Sequence, residues 1–314
     1  MLVQLLTAAI ALFLNAPPPE SLDDPGRVLS AVAPEGRVLL AEAIPASGEG
    51  PRLVQETLGP ALHAGSFLVV DVTTGRVLTA REPSAIRPVA SLTKLLTALT
   101  VLRNANVETE VTASTHAVSA GRGGADAKLR AGEQFTVRDL LAALLITSAN
   151  DAAVALAEHV SGNEAAFAER MEETARALGL TRTRMENATG FDTAKHFSTA
   201  SDVATALTSA WQDPVLGPFL RMEELTITSR RGKSHRLRTT NRLLGIRADI
   251  LGGKTGFTEA AGENLAVMAE SPDHHVVAAV VLGSTDRFAD MDNLLNWTFW
   301  AYEWPKETQT PPNE

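Results

Sequence analysis

Ser91-Leu92-Thr93-Lys94-Leu95-Leu96-Thr97-Ala98-Leu99-Thr100-Val101-Leu102-Arg103 is the stretch on which the reading of this 314-residue chain turns. Leucines at 92, 95, 96, 99 and 102 recur at helical spacing. Just upstream, Phe67-Leu68-Val69-Val70-Asp71-Val72 and Arg76-Val77-Leu78-Thr79-Ala80 read as two strands joined by a tight turn at Thr73-Thr74-Gly75. Pro88 ends the extended region. The chain therefore passes from strand to helix at Ser91, and Lys94 falls one turn later on the same helix face.

Downstream the helical pattern continues. Thr136, with Asp139 in the reciprocal capping position, opens a helix over 137–146. Helices over 151–160, 164–178 and 201–211 follow, with Gly179 as a C-cap. After Pro218 the pattern turns extended, with strands expected at 225–229, 236–240, 252–257, 265–269 and 276–282 and a closing helix over 290–302. Strands, a helical block, strands and a helix describe an α+β fold. One antiparallel sheet with flanking helices and an inserted helical subdomain is expected, with the functional site at the seam.

Composition narrows the chemistry. A formal net charge of −9 argues against nucleic acid as a partner. The chain has no cysteine, which excludes disulfides and thiolate chemistry. His274-His275 precede a strand and read as turn residues, and no metal or other cofactor is called for. Residues 1–16 are almost all apolar and carry no charge. A helix over 1–14 would be about 21 Å long, short of the roughly 30 Å hydrocarbon core. This suits a secretory signal, although no Lys or Arg precedes it and Pro17 follows Ala16. An uncleaved anchor with membrane association, an ordinary buried helix, and a misplaced start codon are the other readings. Residues 17–58 read as a linker or loosely docked arm, with a short strand at 38–40. Residues 59–304 form the folded domain, and 305–314 a polar tail.

Of the 28 Lys and Arg residues only six are Lys. Arginine stays charged in proteins, whereas a buried lysine can lose its proton and act as a base. Lys94 is therefore suited to activate Ser91, and the N–H groups at a helix start can hold an oxyanion. Burial and a second ammonium, Lys254, would both lower the pKa of Lys94. Ser148-Ala149-Asn150 lies between two helices, where capping is the plain reading. Lys254-Thr255-Gly256 lies on a strand, with Gly253 and Gly256 leaving room for close approach.

Each motif alone is weak, but Ser-x-x-Lys, Ser-x-Asn and Lys-Thr-Gly in this order form the set of active-site-serine, penicillin-recognising enzymes. With Leu129-Arg130-Ala131-Gly132-Glu133, Gly190-Phe191-Asp192 and Gly253-Lys254-Thr255-Gly256-Phe257-Thr258, the chain closely resembles the D-alanyl-D-alanine carboxypeptidases, serine peptidase family S11. The resemblance covers about 65–302 and implies a β-lactamase/transpeptidase-like fold. It implies that Ser91 is the acylated nucleophile, Lys94 its base, and Ser148 and Lys254 a proton shuttle. Asn150 would bind the substrate amide, and the N–H groups of Ser91 and Phe257 would form the oxyanion hole. Thr255, in its triad with Gly256, and Arg287 would bind the terminal carboxylate. The partners implied are peptidoglycan stem peptides ending in D-Ala-D-Ala, with β-lactams as covalent inhibitors, outside the cytoplasmic membrane.

Two departures stand out. Gly123-Gly124-Ala125 replaces a Gly-Ser pair in a pocket-shaping loop. The chain also ends soon after the closing helix, as in single-domain members, some of which are endopeptidases on cross-links. A class A β-lactamase would need a deacylating Glu, but Glu186-Asn187-Ala188 does not continue as Glu-x-x-Leu-Asn. An inactive wall-binding module is the remaining alternative, against which the intact motifs speak.

Overall fold

The computed structural model describes residues 50–55 and 59–305. Its strands are β1 (Arg52–Leu53), β2 (Ser66–Asp71), β3 (Val77–Arg81), β4 (Glu110–Thr112), β5 (Gln134–Thr136), β6 (Glu224–Thr228), β7 (Ser234–Arg238), β8 (Ile250–Thr258), β9 (Gly262–Glu270), β10 (Val276–Ser284) and β11 (Tyr302–Glu303). Its α-helices are α1 (Thr93–Asn104), α2 (Thr115–Gly121), α3 (Val137–Ala142), α4 (Asn150–Ser161), α5 (Glu164–Ala177), α6 (Ala200–Gln212), α7 (Leu216–Arg221) and α8 (Arg287–Ala301). The central sheet has five antiparallel strands in the order β3-β2-β10-β9-β8. Strands from before and after the helical block thus share one sheet, as the strand–helix–strand order implies.

Period-two alternation gives the sheet two apolar faces. Leu68, Val70, Met268, Ala278 and Val280 pack into the core shared with the helical block. Phe67, Val69, Val267, Ala279 and Val281 face Met291, Leu294 and Leu295 of α8. The site-bearing elements meet at the far edge: β8 is an outer strand and packs against the turn that carries Ser91.

The chain departs from its sequence pattern in several places. Helix α7 spans Pro218, where an extended chain was expected. Proline within the first turn lacks only an N–H that would have no intrahelical partner there, so it does not stop the helix. The helix expected over 137–146 keeps α geometry only to Ala142 and continues as a π turn through Thr147. Helix α2 and the β4–β5 pair were not anticipated; these pieces of 7, 3 and 3 residues are too short for periodicity to register. Pairing begins inside the stretch 17–58 that reads as a linker or loosely docked arm: Arg52 and Leu53 pair with Glu303 and Tyr302. Trp304 beside them donates its indole N–H to Asp71. His274 (φ +64°) and His275 lie between β9 and β10, the turn position expected of them. The Thr136–Asp139 capping box is present in full. The expected strand at 38–40 and the segment 1–16 lie outside the described residues. Among the described residues no helix is long and apolar enough to cross a membrane.

Candidate active site

Ser91 sits in a 3-10 turn, Ala90–Leu92, immediately ahead of α1 rather than within it. Ala90 before it has φ +48°, a left-handed conformation that a side chain disfavours. The turn is held from outside. Asn264 of β9, fully buried, donates its amide to Pro88 O and accepts from Gly283 N.

Lys94 is completely buried, and its Nζ has three partners: Ser91 Oγ at 2.9 Å, Asn150 Oδ1 at 2.8 Å and Thr189 O at 2.6 Å. Burial lowers its pKa to about 7, against an opposing pull from Asp151. The partner set says where the proton goes. Thr189 O and Asn150 Oδ1 can only accept, while a hydroxyl can also donate. A neutral amine keeps its two N–H bonds to those acceptors, and its lone pair then faces the hydroxyl of Ser91. The geometry is that of a base poised on a nucleophile.

Ser148 ends the π turn at φ +64°. The Ser-x-Asn triad is not a side-chain cap: Ala149 occupies the N-cap of α4 without a side-chain bond. Asn150 instead points its carbonyl oxygen at Lys94, and its Nδ2 lies where a Cβ on Gly124 would come within 2.9 Å. The Gly123-Gly124 departure thus makes room: a Cβ on Gly123 would meet the Phe191 ring at 2.9 Å. Asp151 fixes the same loop by accepting from Ala127 N and Leu129 N, both at 3.0 Å.

The third wall is β8. Lys254 is buried and donates to Thr255 O at 3.0 Å. Its pKa lies well below the ordinary lysine value, first from burial and then from repulsion by Lys94 and Arg287. Sequence reasoning assigned Lys254 a part in lowering Lys94. In the fold, burial is the first cause at both amines, and the repulsion between them acts on each. Gly256 is where the strand touches the serine turn; a Cβ there would lie 2.8 Å from Val89 O and 3.1 Å from Ser91 N. Phe257, next along, is exposed. Thr255 Oγ1 is 2.5 Å from Thr240 Oγ1. Arg287, the first residue of α8, donates to Gly256 O at 2.8 Å. Its backbone N–H donates to Glu263, and its buried Nε has no hydrogen-bond partner. The three motifs and Arg287 therefore converge on one edge of the sheet.

Several neighbours were not legible. Thr189 supplies its carbonyl, a group that no side-chain motif announces. His196 lies 2.7 Å from Thr93 Oγ1 and accepts from Glu186 N at its Nδ1. Nε2 therefore carries the proton and donates to Thr93, in the middle of Ser-x-x-Lys. Burial lowers the His196 pKa to about 4, so the ring is neutral at pH 7. Asn187 Oδ1 gathers the N–H groups of Thr189, Gly190 and Phe191. Its local Asn-x-x-Gly spacing was the one signal that could have marked a built turn.

Comparisons with known proteins agree with this geometry. The family model Peptidase S11, described as D-alanyl-D-alanine carboxypeptidase, matches residues 54–286. The chain is 35% identical to a D-alanyl-D-alanine endopeptidase of Pseudomonas aeruginosa, over 86% of this chain and 88% of that one. It is 32% identical to the D-alanyl-D-alanine carboxypeptidase DacF of Bacillus subtilis, over 77% of this chain but 63% of that relative's length. Among solved structures, the Streptomyces K15 DD-transpeptidase superposes with a TM-score of 0.72 at 26% identity, over 78% of this chain and all of that one.

Proposed function

We propose that this chain, which belongs to the S11 serine peptidase family, is a D-alanyl-D-alanine carboxypeptidase that trims peptidoglycan stem peptides through an acyl-enzyme on Ser91. The observation that carries the reading is the buried Lys94 amine, 2.9 Å from Ser91 Oγ, with its pKa lowered to about 7.

Lys94 takes the hydroxyl proton as Ser91 Oγ attacks the carbonyl between the two D-alanines. The N–H groups of Ser91 and Phe257 hold the resulting oxyanion. Asn150, with Oδ1 tied to Lys94, offers Nδ2 to the substrate backbone carbonyl. Thr255 and Arg287 receive the terminal carboxylate, for which a guanidinium is well shaped. As the C–N bond breaks, Lys94 passes that proton through Ser148 and Lys254 to the departing amine and is neutral again. Water then gives a proton to Lys94 and attacks the ester. Ser91 Oγ leaves with that proton, and the enzyme is restored. A β-lactam enters the first half of this path and stays attached as an acyl-enzyme.

A second reading, D,D-endopeptidase on cross-links, draws on the Pseudomonas relative of that name, matched over 88% of its length. Product analysis by mass spectrometry decides: release of free D-alanine from stem peptides supports the carboxypeptidase, and cleavage of cross-linked dimers supports the endopeptidase. A labelled penicillin tests the site itself. One slow-turnover adduct on the peptide containing Ser91 is expected, and an adduct persisting in Ser91→Ala refutes the assignment. Rapid turnover would instead mark a lactamase.

The substrate also implies a location outside the cytoplasmic membrane. Residues 1–16, almost all apolar and uncharged, are proposed to direct export or to anchor the protein at the membrane surface. Fractionation of cells expressing the full chain and a version lacking residues 1–16 tests this. A full-length protein confined to the cytoplasm would overturn it.

A further inference from the structure

The β6–β7 hairpin has a charge opposite to that of the molecule. Residues 224–238 contain five basic side chains, Arg230, Arg231, Lys233, Arg236 and Arg238, and one acidic, Glu224, in a chain of net charge −9. All five basic residues are exposed. Strand alternation turns His235 and Leu237 inward and Ser234, Arg236 and Arg238 outward. Glu224 is shared by Arg236 (2.5 Å) and Arg238 (3.2 Å), so one carboxylate faces two guanidiniums. Arg230 at the tip pairs with Glu110. Arg231 and Lys233 have no carboxylate within ion-pair distance among the described residues. The face stays positive after its own carboxylates are counted.

The hairpin is mounted rigidly and close to the site. Arg230 N donates to Gln134 O at 2.9 Å. The buried His235 donates from Nδ1 to Ala127 O at 3.0 Å, while its Nε2 lies 3.1 Å from Glu133 Oε2. Arg238 is held by the hydroxyl of Thr147, which accepts from its N–H at 2.9 Å and donates to its carbonyl at 3.1 Å. Thr147 directly precedes Ser148. Two residues beyond Arg238, Thr240 touches Thr255. The basic strand therefore runs into the cleft between Ser148 and Thr255.

We propose that this face is a docking surface for the carboxylate-bearing strands of polymeric peptidoglycan that surround the stem being cleaved. The inference rests on the carboxypeptidase reading above. Every uncleaved stem ending in D-alanine presents a carboxylate, so the polymer is a polyanion. An acidic protein is repelled by a polyanion unless a local patch of opposite sign meets it. Five cations on a fixed hairpin beside the cleft provide that patch and orient the polymer, while the catalytic groups handle a single stem.

The test compares a short, single-stem peptide ending in D-Ala-D-Ala with a soluble multi-stem peptidoglycan fragment. The variant carries Arg231→Ser, Lys233→Ser, Arg236→Gln and Arg238→Gln. Expected are a roughly tenfold rise in KM on the multi-stem fragment, kcat within about twofold of the parent, and unchanged acylation by benzylpenicillin. The parent's preference for the multi-stem fragment should also shrink in high salt. Arg236→Lys with Arg238→Lys in the parent, which keeps the charge, should leave the parent KM unchanged. Equal losses on both substrates, no loss on either, or failure of the charge-conserving variant would overturn the proposal. So would variant-sensitive binding to anionic phospholipid vesicles with multi-stem turnover unaffected. Failure of the parent to acylate with benzylpenicillin would instead remove the reading of the site on which the proposal stands.

Discussion

Lys94 Nζ lies 2.9 Å from Ser91 Oγ and completes its shell with Asn150 Oδ1 and Thr189 O, two groups that can only accept. The amine has one direction left in which to use a lone pair, and that direction is the nucleophile. With a pKa of about 7, the neutral fraction rises with pH through neutrality. Acylation by benzylpenicillin should therefore climb with an acid limb centred near pH 7 and level off above it. Lys94→Arg keeps the charge but cannot deprotonate, so its acylation rate should fall by about 10²–10⁴. A pH-independent rate between 5.5 and 8.5, or near-parent acylation by the Arg variant, would reduce Lys94 to an electrostatic contact.

Gly190 should tolerate no side chain. It has φ +92°, and a Cβ there would stand 2.0 Å from Ala90 O, against the turn that presents Ser91. Its neighbour Thr189 supplies the carbonyl on Lys94. Gly190→Ala is expected to lower the acylation rate roughly a hundredfold, equivalent to ~3 kcal/mol in the barrier, and to depress Tm. Stopped-flow acylation with calorimetry on the same sample checks both. A variant with parent-like kinetics would show that the Ser91 turn can shift freely.

His196 should leave a mark on acid stability. Its folded pKa, about 4, lies below the ordinary histidine value of 6.5, chiefly through burial. Between these values the unfolded chain binds the proton and the folded one does not, so stability falls as pH drops from about 6.5 towards 4. The loss attributable to this residue is on the order of 3 kcal/mol. Lys94, with a folded pKa of about 7, adds its own loss only above about pH 6, and does so equally in the parent and in a His196 variant. Urea unfolding at pH 4.5 and 7.5 should show a steeper loss in the parent than in His196→Gln; equal slopes would contradict a buried neutral ring.

Arg287 aims its guanidinium at the Lys-Thr-Gly strand, and its Nε, 3.9 Å from Glu263 Oε2, has no hydrogen-bond partner. Arg287→Ala should lower kcat/KM on peptides ending in a free D-alanine carboxylate by about tenfold to a hundredfold, the loss of one charge-assisted hydrogen bond. Cross-linked dimers, whose carboxylate lies farther from the scissile bond, should suffer less. Equal losses on matched fragments would mean general damage to the pocket, and no loss would make Arg287 a structural contact to Gly256.

The order of strands and helices was legible because apolar patterning is a local property of the chain, and four of the five strands of the sheet carry it; β8 was marked instead by its glycines and its Lys-Thr-Gly triad. Ser91, Lys94, Ser148, Asn150 and Lys254 could be proposed from the sequence because the chemistry assigned to them depends on residue type and short spacing. Short pieces such as α2 and β4 left too few residues to set a period. Pro218 misled because its effect depends on where in a helix it falls, and the sequence alone does not place the first turn. Taken alone, the Ser-x-Asn triad was ambiguous between cap and site; in the fold it makes no side-chain cap, and Asn150 Oδ1 turns to Lys94.

By itself, then, the sequence determined which side chains could do the chemistry and the order in which the fold would deliver them. The tertiary structure alone decided the state in which they arrive. Lys94 meets Asn150 across 56 residues and Thr189 across 95. Its lowered pKa comes from burial, which belongs to the packed assembly and to no single residue. The same holds for His196 beneath Thr93, for the fit of Gly190 and Gly256 against the serine turn, and for the basic hairpin fastened beside Ser148. Each depends on distances between parts of the chain that only folding brings together.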